Sequence, residues 1–422
     1  MVDNFIKRDL RAELWDDLSR KEICFLIGPR QSGKTTLMKS LQRDLEKRGD
    51  RTLFFSLDFE YDREFFVSQQ QFLKKVEMET GGRKAFVFID EIQRKEDAGI
   101  FLKGIYDMGL PYKLIVSGSG SIDLKAKVKE SMAGRKRVYE LYPLSLTEFI
   151  NFKTEYRYEK SFFKFLELEK KRSGVLLHEY LNYGGYPGVV LEPESREKMR
   201  VMDEIYQSYI EKDIAYIMRV EKTDAFSLLI KVLADQAGRL INYSELSNTL
   251  GLSLPTVKNY LWYAENTFIL ERLTPFFKNV RSEISKSPVA YFIDLGFRNY
   301  ALRIFGNLFR PDDLGFAFQN LVFLVLREKL KWSNMSIHYW RTKSGAEVDF
   351  VIDSGREVIP VEVKYGNITR PFLPKNLASF AEKNKPKRCY IINGNLSAMH
   401  ELKGYEVRFL TVWDLLSEEI LS

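Results

Sequence analysis

One stretch of nine residues, from Gly28 to Thr36, restricts the fold of this chain more than any other segment. It reads GPRQSGKTT and fits G-x-x-x-x-G-K-[ST], the pattern of a phosphate-binding loop. The apolar run Ile23–Ile27 before it predicts a buried parallel strand, and apolar residues at helical spacing after it predict a helix from Thr36 to Lys47. Strand, glycine-containing loop and helix therefore follow one another in the order that phosphate binding requires.

The loop supplies several kinds of phosphate contact. Gly28 and Gly33 let the backbone curl so that successive N–H groups point at a phosphate, and the start of the helix adds its positive dipole end. Lys34 is expected to reach the β- and γ-phosphates of a nucleotide, and the Thr35 hydroxyl is expected to ligate Mg²⁺. The predicted nucleotide-binding residues are Gly28, Pro29, Arg30, Gln31, Ser32, Gly33, Lys34, Thr35 and Thr36.

The composition excludes several classes of protein. The chain has 422 residues, 45% hydrophobic and 29% charged, which suffices for about two to four domains with their own cores. No apolar run approaches the length of a membrane span, and the polar first residues do not resemble a secretory signal. Cys24 and Cys389 lie in apolar runs, so neither a disulfide nor a zinc site is expected, and a reducing cytoplasm is predicted. The net charge of +7 is compatible with a polyanionic partner.

Strand-like and helical segments alternate through the first third of the chain. This alternation predicts an α/β fold with a parallel sheet covered on both faces, and ligands on such sheets bind at the carboxyl ends of the strands. The segment Met1–Arg20 is predicted to be an amphipathic helix that precedes the sheet. The predicted strands are Cys24–Ile27, Thr52–Leu57, Ala85–Ile89, Lys113–Ser117 and Val138–Tyr142.

A second motif, FVFIDE from Phe86 to Glu91, is an apolar strand that ends in two carboxylates. This is the Walker B form, which completes a phosphate loop. Asp90 is expected to hold Mg²⁺ through water, and Glu91 is expected to polarise the attacking water as a general base.

Two further segments carry candidate catalytic residues. The strand ending LIVSGSGS places Ser117 or Ser119 where a hydroxyl could bind the phosphate or the water, and the alternative is a flexible turn after the strand. In AGRKR, Arg135 could act as an arginine finger on a neighbouring subunit, which would require a homo-oligomer. A structural or solvated cation is the alternative for Arg135.

The middle of the chain has a different character. The segment from Phe149 to Arg219 is predicted to be mostly helical, a lid behind the sheet. Ala225–Phe277 has helix-turn-helix spacing and then a strand at Phe268–Leu273, as in a winged helix. Thr256, Lys258 and Asn259 would face outward on its second helix toward DNA, and a packing role without DNA is the alternative.

Taken together, GPRQSGKTT, FVFIDEIQ, VSGSGS and AGRKRVYELYPLSLTEF resemble AAA-type ATPases of a large bacterial and archaeal group. In that group a C-terminal domain resembles PD-(D/E)XK nucleases. The resemblance covers nearly the whole chain. It implies an AAA-like strand order and ATP as the substrate.

The C-terminal part contains the matching pattern. Asp349 lies in one predicted strand, a turn follows at Ser354-Gly355, and the next strand carries Glu362-x-Lys364. The resemblance implies that Asp349 and Glu362 share Mg²⁺ and that Lys364 orients or deprotonates the attacking water. The preceding helix often supplies another acidic residue in such nucleases, whereas this chain has Gln319. An active nuclease, an inactive relative of the fold and the absence of any nucleic-acid role therefore remain alternatives.

These observations predict a magnesium- and ATP-dependent ATPase that couples nucleotide state to a winged-helix and nuclease-like C-terminal half, acting on DNA. A nucleotide-dependent switch for a protein partner and an ATP-regulated DNA nuclease are the alternatives. The predicted domains are an ATPase domain, a helical lid, a winged helix and a nuclease-like domain, at residues 1–150, 151–222, 223–285 and 286–422.

Overall fold

Five parallel strands form the N-terminal sheet in the computed structural model, which describes residues 5–119, 132–210, 223–277 and 287–417. The strand order is β2-β3-β4-β1-β5, with every neighbouring pair parallel. The structure thus confirms the predicted parallel sheet and places each strand within two residues of its predicted bounds. The strands are β1 (Ile23–Gly28), β2 (Thr52–Ser56), β3 (Ala85–Asp90), β4 (Tyr112–Ser119) and β5 (Lys136–Glu140).

Helices cover both faces of this sheet. Alternate residues of β1 enter two different apolar clusters, because successive side chains of a strand point to opposite faces. Leu37 and Leu41 belong to one cluster, and Phe72 and Phe101 belong to the other. The helices of this region are α1 (Leu10–Asp16), α2 (Lys34–Lys47), α3 (Glu60–Arg63), α4 (Gln69–Thr80) and α5 (Ala98–Asp107).

The lead-in helix is shorter than the predicted Met1–Arg20. It begins at Leu10 and is followed by a 3₁₀ turn at Asp17–Ser19, while residues 1–4 lie outside the described part. The residues before Leu10 are held by long-range contacts: the backbone N–H of Asp9 donates to Glu148 Oε1 at 2.8 Å. The helical periodicity therefore overestimated the length of this helix.

The lid is helical as predicted over its described residues, whereas residues 211–219 lie outside them. A capping box between Ser145 and Glu148 starts its first helix, so the predicted boundary at residue 150 falls inside a helix. Gly184, with φ of +73°, ends the third helix. The helices are α6 (Leu146–Lys153), α7 (Phe162–Leu168), α8 (Lys170–Tyr183), α9 (Pro187–Leu191) and α10 (Ser195–Ser208).

Among the described residues, three helices, a two-stranded antiparallel sheet and a fourth helix follow. Gly251 turns the chain in the left-handed conformation, and Ser253 caps the next helix. The boundary predicted between residues 285 and 286 separates the two strands that pair here, because β7 bonds to β6 and not to the C-terminal sheet. The elements are α11 (Thr223–Asp235), α12 (Tyr243–Leu250), α13 (Leu254–Asn266), β6 (Leu270–Leu273), β7 (Val289–Phe292) and α14 (Leu295–Ala301).

The C-terminal sheet is mixed, with strand order β12-β13-β11-β10-β9-β8. Its long helix α15 shares one apolar cluster with the lid, in which Phe165 and Tyr180 join Phe323 and Phe350. Both cysteines are free and buried, and no described helix has the length and apolar character needed to span a membrane. The elements are α15 (Pro311–Leu330), β8 (Ser336–Arg341), β9 (Glu347–Asp353), β10 (Val358–Lys364), α16 (Lys375–Asn384), β11 (Arg388–Asn393), β12 (Ala398–Leu402), β13 (Tyr405–Thr411) and α17 (Val412–Ser417).

Candidate nucleotide site and C-terminal carboxylate centre

The phosphate loop runs from the carboxyl end of β1 to the start of α2. Gly28 has φ of +155°, and a Cβ there would overlap the carbonyl oxygen of Leu141, so only glycine fits. Gly33 (φ +95°) and Gln31 (φ +56°) also have positive φ angles. Within the loop, Ser32 Oγ donates to the Pro29 carbonyl at 2.9 Å.

Lys34 folds back over the loop that precedes it. Its side chain is buried, and Nζ donates to the carbonyl oxygens of Gly28 at 3.1 Å and Pro29 at 2.7 Å. A phosphate oxygen is a stronger acceptor for an ammonium than a neutral carbonyl. The cation is therefore already at the loop and needs only to exchange acceptors to contact a nucleotide.

Asp90, at the carboxyl end of β3, accepts hydrogen bonds from two hydroxyl groups. Thr35 Oγ1 donates to Asp90 Oδ2 at 2.7 Å, and Ser117 Oγ, from β4, donates to Asp90 Oδ1. The predicted metal residues Thr35 and Asp90 are thus adjacent. A hydroxyl and a carboxylate are the hard oxygen donors that suit Mg²⁺. Ser117 orients Asp90 here, a contact that the sequence did not reveal.

Glu91 follows directly, in the left-handed conformation with φ of +58°. Its backbone N–H donates to Ser117 Oγ at 3.3 Å, and Gln93 Nε2 donates to its carboxylate. Burial raises the pKa of Glu91 above its ordinary value, an effect that the nearby Lys34 ammonium opposes. A carboxylate with a raised pKa is a better general base.

The other predicted residues are placed differently. Gln31 and Thr36 are exposed on the loop and on α2. The backbone of Ser119 pairs with Gly28, whereas the Ser119 side chain lies outside the described part.

Arg135 precedes β5 and lies beside Ile23, at the amino ends of the strands, roughly 16 Å along β1 from the loop. It forms an ion pair with Asp107, with N–O distances of 2.7 and 3.3 Å, so it does not contact the nucleotide site of its own chain.

Arg8 is a contact residue of the loop that the sequence did not indicate. Its buried guanidinium donates to the Ser32 carbonyl at 2.8 Å, to the Tyr142 carbonyl at 2.6 Å and to Glu148 Oε1 at 3.1 Å. It therefore joins the phosphate loop to the chain that leaves β5 and to α6. No local pattern marks this arginine, because its partners are distant in sequence.

The C-terminal residues also converge. Val361 pairs with Phe350 across β10 and β9, which places Glu362 opposite Asp349 on one face. Lys364 Nζ lies 2.7 Å from Glu362 Oε1, while Glu362 Oε2 is buried without a hydrogen-bond partner. Burial raises the pKa of both carboxyl groups, and for Asp349 the charge of Glu362 adds to the effect.

Asp349, Glu362 and Lys364 form what is called the carboxylate centre below. Gln319 of α15 lies beside Asp349 in this centre. Its Nε2 donates to Asp349 Oδ1 at 3.0 Å and to the Tyr291 hydroxyl at 2.9 Å. The other oxygen of Asp349 accepts from the Val363 N–H at 2.7 Å. Within the described ranges, no three or more His, Cys, Asp or Glu residues are grouped closely enough to hold a metal ion.

Three family models match successive parts of the chain. An AAA domain matches residues 20–150, and two domains of unknown function, DUF8612 and DUF4143, match residues 175–308 and 314–412. An "Uncharacterized protein" of Haemophilus influenzae is 25% identical over 92% of this chain and 93% of its own length. "Uncharacterized protein MJ1544" of Methanocaldococcus jannaschii is 26% identical over 84% of this chain and 77% of its own length.

Solved structures give weaker matches. DnaA from Aquifex aeolicus with bound AMPPCP has 18% identity and a TM-score of 0.27, covering 62% of this chain and 90% of DnaA. The clamp loader delta protein of Bacillus subtilis has 10% identity and a TM-score of 0.29, covering 74% of this chain and 99% of that protein. These scores are too low to support a conclusion about function. The family match, the parallel sheet and the loop agree that residues 20–150 form an AAA-type P-loop domain.

Proposed function

We propose that this chain is a Mg²⁺-dependent ATP hydrolase whose nucleotide state controls its C-terminal half, which engages DNA. The observation that carries the proposal is the set of hydrogen bonds that joins Thr35, Asp90 and Ser117 beside Lys34. These residues come from α2, β3 and β4, and they meet at the sheet edge where nucleotides bind.

The side chains divide the chemistry between them. Thr35 and Asp90 would hold Mg²⁺, which neutralises phosphate charge when it is bound. Lys34 would leave the loop carbonyls for the phosphates. Glu91 would accept a proton from the attacking water, with Gln93 fixing its carboxylate.

A contact between three parts of the chain supports the proposed coupling. The Arg327 guanidinium of α15 lies 3.6 Å from the centre of the Tyr142 ring, beyond β5 of the P-loop domain. Arg327 Nε also donates to Glu271 Oε2 of β6 at 2.6 Å. The segment 223–301, which comprises α11–α14 with β6 and β7, is called the helical module here. The P-loop domain, the helical module and the C-terminal half therefore meet at Arg327.

Further contacts connect Arg327 and Tyr142 to the phosphate loop on one side and to the carboxylate centre on the other. Arg8 connects the Tyr142 carbonyl to the Ser32 carbonyl of the phosphate loop. In the other direction, α15 carries Gln319 eight residues before Arg327, about 12 Å along the helix. A displacement of the loop on nucleotide binding thus has a route through packed side chains to the carboxylate centre.

Exposed polar side chains of α13 support engagement of DNA. Lys258 and Asn259 are exposed on α13, the second helix of the helix-turn-helix arrangement, whereas Thr256 is half-buried. The basic composition of the chain is compatible with a polyanion.

Replacement of Glu91 by Gln tests the hydrolase. ATP turnover should fall by at least about 100-fold while ATP binding is retained, since the variant loses the general base. Turnover of the wild type should decline as the pH falls through the raised pKa of Glu91, above the ordinary 4.5, because the base must be deprotonated. Full turnover in Glu91→Gln would contradict the assignment, and exposed Glu96→Gln is the matched control.

Addition of DNA tests the partner. Turnover should rise with single- or double-stranded DNA, and the effect should weaken with salt. Slow turnover that is independent of DNA would contradict DNA engagement and favour a nucleotide-dependent switch for a protein partner.

A further inference from the structure

The carboxylate centre is the second place in this chain where buried acids and a lysine meet. The PD-(D/E)XK pattern implies a divalent cation there, so the donor atoms decide whether such an ion fits. Asp349 and Glu362 supply two carboxylates, but the Lys364 ammonium already pairs with one of them at 2.7 Å. Gln319 supplies an amide nitrogen, which donates hydrogen bonds and cannot ligate a cation.

Two hydrogen bonds orient the Gln319 amide. Its nitrogen bonds to Asp349, an acceptor when ionised, and to the Tyr291 hydroxyl. The amide group packs over Gly238, where a Cβ would lie 3.1 Å from Oε1 and 3.3 Å from Nε2. To present that oxygen to an ion beside Asp349, the amide would have to rotate and give up its bond to the carboxylate.

These contacts also make Gln319 a junction. Tyr291 lies on β7 and Gly238 follows α11, so both belong to the helical module, whereas Asp349 belongs to the C-terminal sheet. Arg239, which follows Gly238, and Glu347, two residues before Asp349 on β9, line a cavity of about 570 Å³. The Lys364 side chain of the centre is 47% exposed, so the centre reaches the surface and the donor set is what opposes binding.

We propose that Gln319 keeps the carboxylate centre free of divalent cations and fastens the helical module to the C-terminal sheet in its place. The orphaned Glu362 Oε2 is the atom best placed to accept a cation if Gln319 is replaced by a third carboxylate. The proposal is independent of ATP hydrolysis.

The test is Gln319→Glu in the full-length chain, with Mn²⁺ alone as the probe and without nucleotide. Mn²⁺ binding followed by electron paramagnetic resonance should be tighter than in the wild type by roughly 10- to 100-fold. The gain should disappear in Gln319→Glu/Asp349→Asn. Exposed Gln71→Glu adds the same charge elsewhere and should show no gain.

If Gln319→Glu does not fold, Mn²⁺ binding by the wild type and by Asp349→Asn still tests the proposal. Wild type and Asp349→Asn should bind Mn²⁺ equally, because the wild-type centre takes no ion. Tighter, saturable Mn²⁺ binding by the wild type than by Asp349→Asn would overturn the proposal. A folded Gln319→Glu without any gain in Mn²⁺ affinity would overturn it as well.

Discussion

The two acidic centres of this chain use the same kinds of residue and differ in what surrounds the aspartate. Asp90 accepts hydrogen bonds from the hydroxyls of Thr35 and Ser117. Asp349 accepts from the amide nitrogen of Gln319 and from a backbone N–H. A hydroxyl oxygen can also ligate a cation, whereas an N–H group cannot. The neighbours of an aspartate, more than the aspartate itself, therefore decide whether a metal fits.

The lysines show the same contrast. Lys34 bonds to neutral carbonyl oxygens of the loop, which a phosphate can replace. Lys364 pairs with the Glu362 carboxylate and is 47% exposed, whereas Glu362 is 5% exposed. These loop acceptors of Lys34 are neutral, whereas Lys364 neutralises a buried charge. The N-terminal centre is thus arranged for a ligand, whereas in the C-terminal centre three of the four carboxylate oxygens of Asp349 and Glu362 already have partners and Glu362 Oε2 has none.

The largest effect that this comparison predicts is at Asp90. Asp90→Ala removes the acceptor of both Thr35 and Ser117, and ATP turnover should fall about 1000-fold in a steady-state assay. Asp97→Asn, an exposed change at a left-handed position that asparagine tolerates, should leave turnover unchanged. Normal turnover in Asp90→Ala would remove the proposed metal site.

The next effect concerns the link between the centres. Arg327→Met leaves Glu271 without its partner and removes the contact with Tyr142, which should lower the free energy of unfolding by about 1 to 2 kcal/mol in urea titrations. ATP binding should persist. Hydrogen exchange of α15 should respond to a nucleotide analogue in the wild type and no longer in the variant.

Lys343→Met, in an exposed loop, is the control for the loss of one cation. An unchanged exchange response in Arg327→Met would show that the two centres are not coupled through this contact.

The smallest effect is expected at Arg135. Its replacement tests whether one chain supplies all the catalytic residues of the N-terminal centre. The ion pair with Asp107 at the far edge of the sheet favours the structural alternative, so Arg135→Ala should change turnover by less than about twofold. Turnover per chain that rises with protein concentration in the wild type, and not in Arg135→Ala, would instead assign an arginine finger acting on a neighbouring subunit.

Much of the fold could be predicted from the sequence because its signals are local. The apolar runs of the parallel strands and the helical spacing after the loop act over a few residues each. Predictions failed where distant residues intervene. The lead-in helix starts late because Asp9 is held by Glu148, and β7 joins β6 across residues 278–286.

The sequence by itself determined the phosphate loop, the parallel sheet that bears it, and the convergence of Asp349, Glu362 and Lys364 on one strand pair. Periodicity suffices for the loop and the sheet, and strand alternation puts Glu362 and Lys364 on one face, whereas the resemblance to PD-(D/E)XK nucleases implied that Asp349 joins them. Only the tertiary structure decided that the Arg8 guanidinium donates to the Ser32 carbonyl, 24 residues further along the chain. It also decided that the Arg327 guanidinium lies over the Tyr142 ring and that the amide nitrogen of Gln319 donates to Asp349. These contacts depend on the packing of distant segments, and hydrogen-bond direction is fixed only when all partners are in place.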